Sequence, residues 1–212
     1  SSDLREERHS TEGQAALRDE LLKIIDKRTF GKPVNAKLAA SKDPNATACG
    51  VAMLGSVKHA ERAAAFQKFK GRLVALGNQI VSISTGLPVS PKGRDYGLTG
   101  QVASLASFRA VCWHSTQRGH VLESADVASA YLNAPWPSQY EKHYIRLDEN
   151  SYWLCPQSFR DEIDAAGGWR HALIPMDKCL YGHPLSGFIW IKLLEDWLLD
   201  EDLGGFTRVE GA

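Results

Sequence analysis

The spacing of apolar residues switches repeatedly between the helical and the strand period, and this groups helices and strands instead of alternating them strictly. Leu17, Leu21, Ile24 and Ile25 recur at i, i+4, i+7 and i+8, the stripe of an amphipathic helix. "TEGQ" (Thr11 to Gln14) ahead of that stripe reads as a capping box, and the helix is expected to end near Arg28. "GVAMLGSV" (Gly50 to Val57) and "KFKGRLVALG" (Lys68 to Gly77) then read as strands joined by the polar link "KHAERAAAFQ", which predicts an antiparallel pair with a long tip. Val102, Leu105, Ala106, Arg109, Cys112 and Trp113 share one helical face, with Gly119 as a C-terminal stop. "HVLESADV" reads as a strand, and "HYIRL" and "HALIPM" as further strands around the turn "AAGGWR". Phe188, Ile191, Leu194, Leu198 and Leu199 return to helical spacing, with Gly204 and Gly205 as the stop. Residues 1–14 are polar and linker-like, 31–48 carry the loop markers Pro33, Pro44 and Asn45, and 84–97 read as a loop. The expected class is α+β.

Composition removes several function classes. No apolar run approaches the roughly 18 residues that span a bilayer, so no membrane partner is expected. The 25 basic residues balance 25 acidic ones, so any nucleic-acid surface must be local. Cys49, Cys112, Cys155 and Cys179 form no C-x-x-C pair, which points to reduced thiols and neither a disulfide framework nor a zinc site.

Three groups of residues carry possible chemistry. Asp126, in "SADVASAYLNAP", ends an apolar run just before the turn residues Asn133 and Pro135. A carboxylate at a strand end either caps the following turn or binds a hard divalent cation such as Mg²⁺. Lys58, Arg62, Lys68, Lys70 and Arg72 form a basic run, which Lys92 and Arg94 extend. At period two Lys68, Lys70 and Arg72 fall on one face of a strand, either as a solvated face or as joint contacts to phosphate oxygens. Tyr131 and Trp136 follow Asp126 closely, either as core aromatics or as stacking surfaces for a sugar or base.

Taken in order, six blocks resemble the reverse transcriptase domain of copia-type (Pseudoviridae-like) LTR retrotransposons. They are "ALRDELLKIIDKRTF", "KFKGRLVALG", "GRDY", "SLASFRAV", "SADVASAYLNAP" and "DKCLYGHPLSGFIW", and together they cover roughly residues 15 to 208. The resemblance implies a right-hand polymerase fold, with antiparallel sheet and packed helices. Residues 15–101 and 134–185 would form the fingers, 102–133 the first part of the palm, and 186–212 the start of its second part. Asp126 would be the first catalytic aspartate, binding Mg²⁺ (or Mn²⁺) with the backbone carbonyl of Val127. Lys70 and Arg72, with Lys68 as a weaker third, would hold the triphosphate. Tyr131 would lie under the incoming sugar, and Tyr181, Gly182, Leu185 and Trp190 near the nucleotide or template. The block "HPLSGF" departs from the family, because Leu185 stands where a Gln is expected and no Arg follows.

The chemistry so implied is RNA-directed DNA polymerisation. A primer 3′-hydroxyl attacks a nucleotide α-phosphate, with two metal ions stabilising the attacking and leaving oxygens. The implied partners are an RNA/DNA primer-template and deoxynucleotides, with integrase and RNase H as other domains of the polyprotein, in a cytoplasmic particle or the nucleus. The Y-V-D-D block carrying the other two aspartates is expected beyond Phe206, so the chain reads as a fragment, inactive alone, with an exposed palm edge open to dimerisation or aggregation. Two other readings stand beside it: a non-enzymatic nucleic-acid-binding remnant, and a degenerate retroelement product without function.

Overall fold

The computed structural model describes residues 10–59, 61, 63, 66–89 and 103–207. Arg62, Lys92, Arg94, Val102 and "GRDY" lie outside these residues. The first helix, α1 (Thr11–Asp26), begins one residue earlier than the expected box: Ser10 is the cap, its hydroxyl accepting the Gly13 N–H at 3.0 Å. Gly13 stands where a capping box needs Glu or Gln, so the reciprocal half of that motif is absent. Leu17, Leu21 and Ile24 are buried as their spacing predicts.

The unassigned stretch after Gly31 forms a short strand, β1 (Val34–Asn35), and a helix, α2 (Ala36–Lys42), which the Asn35 side chain caps by accepting the Lys37 N–H. The expected pair follows as β2 (Thr47–Lys58) and β3 (Lys68–Ala75), antiparallel, with Val51 opposite Ala75 and Lys58 opposite Lys68. A short β4 (Val81–Ser82) returns against the start of β2. "HYIRL" and "HALIPM" supply β5 (His143–Arg146) and β6 (Ala172–Pro175). Between them lie two helices that periodicity alone missed, α4 (Glu149–Leu154) and α5 (Gln157–Ala165), each shorter than the window in which a helical stripe can be read. Gly167 and Gly168, both at positive φ, make the turn into β6.

These strands form one mixed sheet in the order β1-β6-β5-β2-β3, with β4 beside β2. All pairings are antiparallel except that of β2 with β5, which is parallel and sets Cys49 beside Ile145. Among the described residues every strand comes from 15–101 or 134–185, the two stretches that the resemblance assigns to the fingers. The core between sheet and helices centres on Leu21, Ile24, Leu73, Leu132, Ile145, Ile174 and Leu180, each at most 1% exposed. Burying each such side chain contributes about 1.5–3 kcal/mol. With six α-helices among the described residues packed around or beside a mixed sheet, the chain is α+β.

Three expectations need correction. The helix α3 (Leu105–Arg118) forms, with Ser104 capping it and Gly119 at φ 65° closing it, but it buries no residue. Leu105, Phe108, Val111 and Trp113 are each more than half exposed. "HVLESADV" is not a strand: the His120 N–H closes the preceding helix on the Ser115 carbonyl, residues 121–127 pair with no strand among the described residues, and Val121 is 84% exposed. In α6 (Ser186–Leu199) the buried residues are Ser186 and Ile189, while Ile191 of the expected stripe is exposed. α6 also stops before the glycines: Asp200 Oδ1 accepts the N–H groups of Asp202 and Leu203, and Gly205 at φ 65° completes the turn.

Two buried histidines tie the sheet to the segment after β6. His143 and His183 lie with ring centroids 4.4 Å apart, both against Trp136. Thr47 Oγ1 and Cys49 Sγ lie 2.8 and 3.3 Å from the two ring nitrogens of His143, and His183 Nδ1 accepts the Leu185 N–H. Burial lowers both pKa values, His183 to about 4 and His143 well below the usual range. The thiols of Cys49, Cys155 and Cys179 are free, buried and pushed up to about 12 by that burial.

Because the unfolded chain binds protons near pH 6.5 and folded His183 only near pH 4, stability is complete above about 6.5 and falls as pH drops towards 4. For His183 alone the loss is about 3 kcal/mol over that window. Urea unfolding between pH 7.5 and 4.5 should show this slope, and His183→Leu should flatten it by about one proton. Equal slopes in the two proteins would contradict the assignment.

Candidate functional site

The site is built by a turn that closes over the end of β3. Ala75 N–H donates to the Tyr181 carbonyl at 2.7 Å. Gly182 follows at φ 84°, where a Cβ would collide with the Ala75 carbonyl oxygen, and a Cβ on Gly77 would collide in turn with the Gly182 carbonyl. The glycines of "LVALG" and "LYG" therefore allow one backbone contact, which explains why these two blocks need each other. The same turn is zipped to the segment after Asn133: Trp136 N–H donates to the Asp177 carbonyl at 2.8 Å, and Cys179 N–H to the Ala134 carbonyl at 2.9 Å.

That zipper brings in "SADVASAYLNAP". Ser129, in the left-handed region at φ 56°, leads into a 3₁₀ turn (Ala130–Asn133) anchored by the fully buried Leu132. Asn133 locks the turn twice, accepting from Nζ of Lys27, the C-cap of α1, at 3.0 Å and donating to the Ala128 carbonyl at 3.2 Å. Tyr131 is thereby set against Tyr181, ring centroids 4.9 Å apart, with its hydroxyl facing Gly187 at the start of α6. The Arg72 guanidinium lies over the Tyr181 ring, 4.8 Å from its centroid. Burial raises the Tyr181 pKa; Arg72 opposes this, while Glu20, Tyr131 and Asp126 add to it. Asp126 and Val127 are exposed beside this group, on the stretch that forms no strand.

Four segments far apart in sequence therefore converge: α1, β3, residues 126–133 and residues 181–182. Of the candidates, Arg72 and Tyr131 each contact Tyr181, and Asp126 is within electrostatic reach of Tyr181. Lys70 joins through Arg72: burial lowers its pKa first, then the neighbouring cations Arg72 and Lys58, while Glu20 counteracts them. Lys68 stands apart, opposite Lys58 at the far end of the hairpin and about 13 Å along the strand from Arg72.

The other candidates serve the scaffold. Gly182 supplies backbone conformation. Leu185 is 8% exposed and packs with Ala134, Cys179 and Ile189, so it does not face the site; Trp190 is half-buried against that cluster. Glu20 and Lys23 of α1, which lie within electrostatic reach of Lys70, were not among the candidates. Their signal was present in the spacing Glu20, Lys23, Lys27 along one edge of the α1 stripe.

The donor set bears directly on the metals that the resemblance implies. Among the described residues no group of three or more His, Cys, Asp or Glu side chains could hold a metal ion. Asp126 alone does not fit a site for two divalent cations, which needs several anionic ligands. No helix among the described residues is long and apolar enough to cross a membrane. No family model, curated protein or solved structure matches the chain.

The interlocked glycines make a direct test. Gly182 and Gly168 have nearly the same positive φ, 84° and 81°, but a Cβ at Gly168 meets nothing within 4 Å. Gly168→Ala should cost about 1 kcal/mol, the strain of the backbone alone, and Gly182→Ala at least about 2 kcal/mol more, measured by urea unfolding. Equal losses would remove the close approach to Ala75.

Proposed function

We propose that the chain is the fingers and part of the palm of an RNA-directed DNA polymerase of the copia-type retrotransposon kind, and that its shared task is holding a nucleotide and primer-template. The observation that carries this reading is the meeting of Arg72, Tyr131 and Tyr181 beside Asp126. Those residues come from the blocks that carry the resemblance, and packing for stability alone does not require an exposed carboxylate beside them. A cation stacked on one ring of a tyrosine pair offers charge for phosphate and a flat face for a sugar or base.

Each residue has a role in that reading. Arg72 offers a planar fork to phosphate oxygens, and Lys70 adds a point charge. Tyr131 supports the sugar, held in place by Leu132, Asn133 and Lys27. Asp126 contributes one carboxylate, too few for two cations, so no step of the transfer is assigned to these residues and the 212-residue chain is read as catalytically silent by itself.

A specific observation also favours the simpler reading of a nucleic-acid-binding remnant. Lys58, Lys68 and Lys70 sit at the outer hairpin and need no carboxylate to attract a phosphate backbone.

Primer extension with Mg²⁺ and deoxynucleotides should give no product, and binding of primer-template should weaken with salt. Lys70→Ala and Arg72→Ala should each lower the log–log salt slope by about 0.9, and Asp126→Ala should leave it unchanged. Extension that disappears in Asp126→Asn would overturn the silent-fragment reading. Binding insensitive to salt would overturn both readings.

A further inference from the structure

We propose that the cleft between α6 and residues 135–140 receives α3 of a second copy of this chain, so that two copies exchange their α3 helices in a closed, reciprocal dimer.

The receiving side is a formed cleft. Pro135, Pro137 and Tyr140 make one wall and Phe188, Ile189 and Leu193 of α6 the other, around a cavity of about 170 Å³. The α3 helix of the same copy lines no part of it. The first wall is fixed in place: besides the Trp136 backbone bond to Asp177, the Trp136 indole N–H donates to the Glu141 carbonyl at 3.1 Å, and the Tyr140 N–H to the Pro137 carbonyl at 3.1 Å. The second wall is fixed at the start of α6, where Ser186 and Ile189 are buried and the Ser186 hydroxyl donates to the Leu180 carbonyl at 2.7 Å. Further along, Ile191, Leu193 and Trp197 are exposed, and Leu203 and Phe206 carry the uncovered apolar surface past the end of the helix. Walls that are already ordered lose little entropy when the cleft is filled.

The inserting side is α3. Leu105, Phe108 and Val111 recur at three-residue spacing, with Trp113 two residues on, and all four are exposed. Side chains at that spacing form a ridge of the kind that packs into the groove of another helix.

Charge selects the pairing. From Ser104 to His120 the formal charges are Arg109 and Arg118, with no Asp or Glu. From Ser186 to Phe206, Glu195, Asp196, Asp200, Glu201 and Asp202 stand against Lys192 alone. Seating α3 on α6 therefore joins opposite signs, whereas α3 on α3 or α6 on α6 would set like signs together. Asp196, on the cleft rim, lies 3.6 Å from Lys192 and keeps negative charge beside the seat. The two helices are also matched in length, at 14 residues each. A second copy brings both halves at once, so a twofold axis repeats the contact and closes it. One helix face is small against the roughly 800 Å² per partner of a stable interface, and the repeated contact doubles it.

Sedimentation equilibrium on the 212-residue chain, mass 23.4 kDa, should show monomer and dimer and nothing larger. Phe108→Glu on α3 and Leu193→Glu on α6 should each raise the dimer dissociation constant about tenfold or more. Both side chains are exposed, so far-UV circular dichroism should be unchanged. Trp153→Glu, at an exposed aromatic on α4, should leave the dimer as it was. If only one of the two helix variants weakens the dimer, that helix pairs with itself and the exchange is wrong. A dimer indifferent to both variants lies on another surface, and the inference falls. A monomer at every concentration would mean that a second copy does not fill the cleft, and open-ended aggregates would exclude reciprocal closure; either result overturns the proposal.

Discussion

The hydrogen bond from Ala75 to the Tyr181 carbonyl, with Gly77 and Gly182 meeting beside it, is the contact on which the rest of the structure depends. It joins the outer strand of the sheet to a turn more than a hundred residues later, and it needs three things at once. The strand must end in a free N–H, both partners must lack a side chain, and Gly182 must adopt a positive φ. Once it forms, Tyr181 has nowhere to go except beneath Arg72, and the turn that follows delivers His183 to His143 and Leu185 to its buried cluster. The tyrosine–arginine group and the buried histidine pair are thus two outcomes of one backbone approach.

That approach also explains what was legible in the sequence. The strand pair β2–β3 and the helices α1, α3 and α6 were visible because each has enough residues to display its period. The strands β5 and β6 were visible because short aromatic and aliphatic runs sit between clear turns. α4 and α5 were hidden, since six and nine residues give too few turns for a stripe. Of the site, Arg72, Tyr131 and Asp126 could be named from residue type and order. The electrostatic neighbours Glu20 and Lys23 could not, because a charged helix edge carries no sign of which charges lie near it in space. Leu185 is explained by its side chain: an apolar residue next to Ala134, Cys179 and Ile189 is taken into the core.

The chain falls into two energetic regimes, and the site lies on their border. The sheet, α1, α4 and α5 surround a dense core, whereas α3 and residues 121–127 bury nothing among the described residues. Tyr131 belongs to the packed regime, through Leu132, Asn133 and Lys27. Asp126, five residues earlier, belongs to the other. A carboxylate that must position an ion needs a support that holds it to within a fraction of an ångström. An extended segment whose backbone groups find no strand partner cannot supply that rigidity. Among the described residues Asp126 therefore belongs to no group that could hold a metal ion, and the segment that carries it is exposed throughout. Arg72 and Tyr181 suffer no such lack of support, because β3 and the turn after β6 hold them against the dense core.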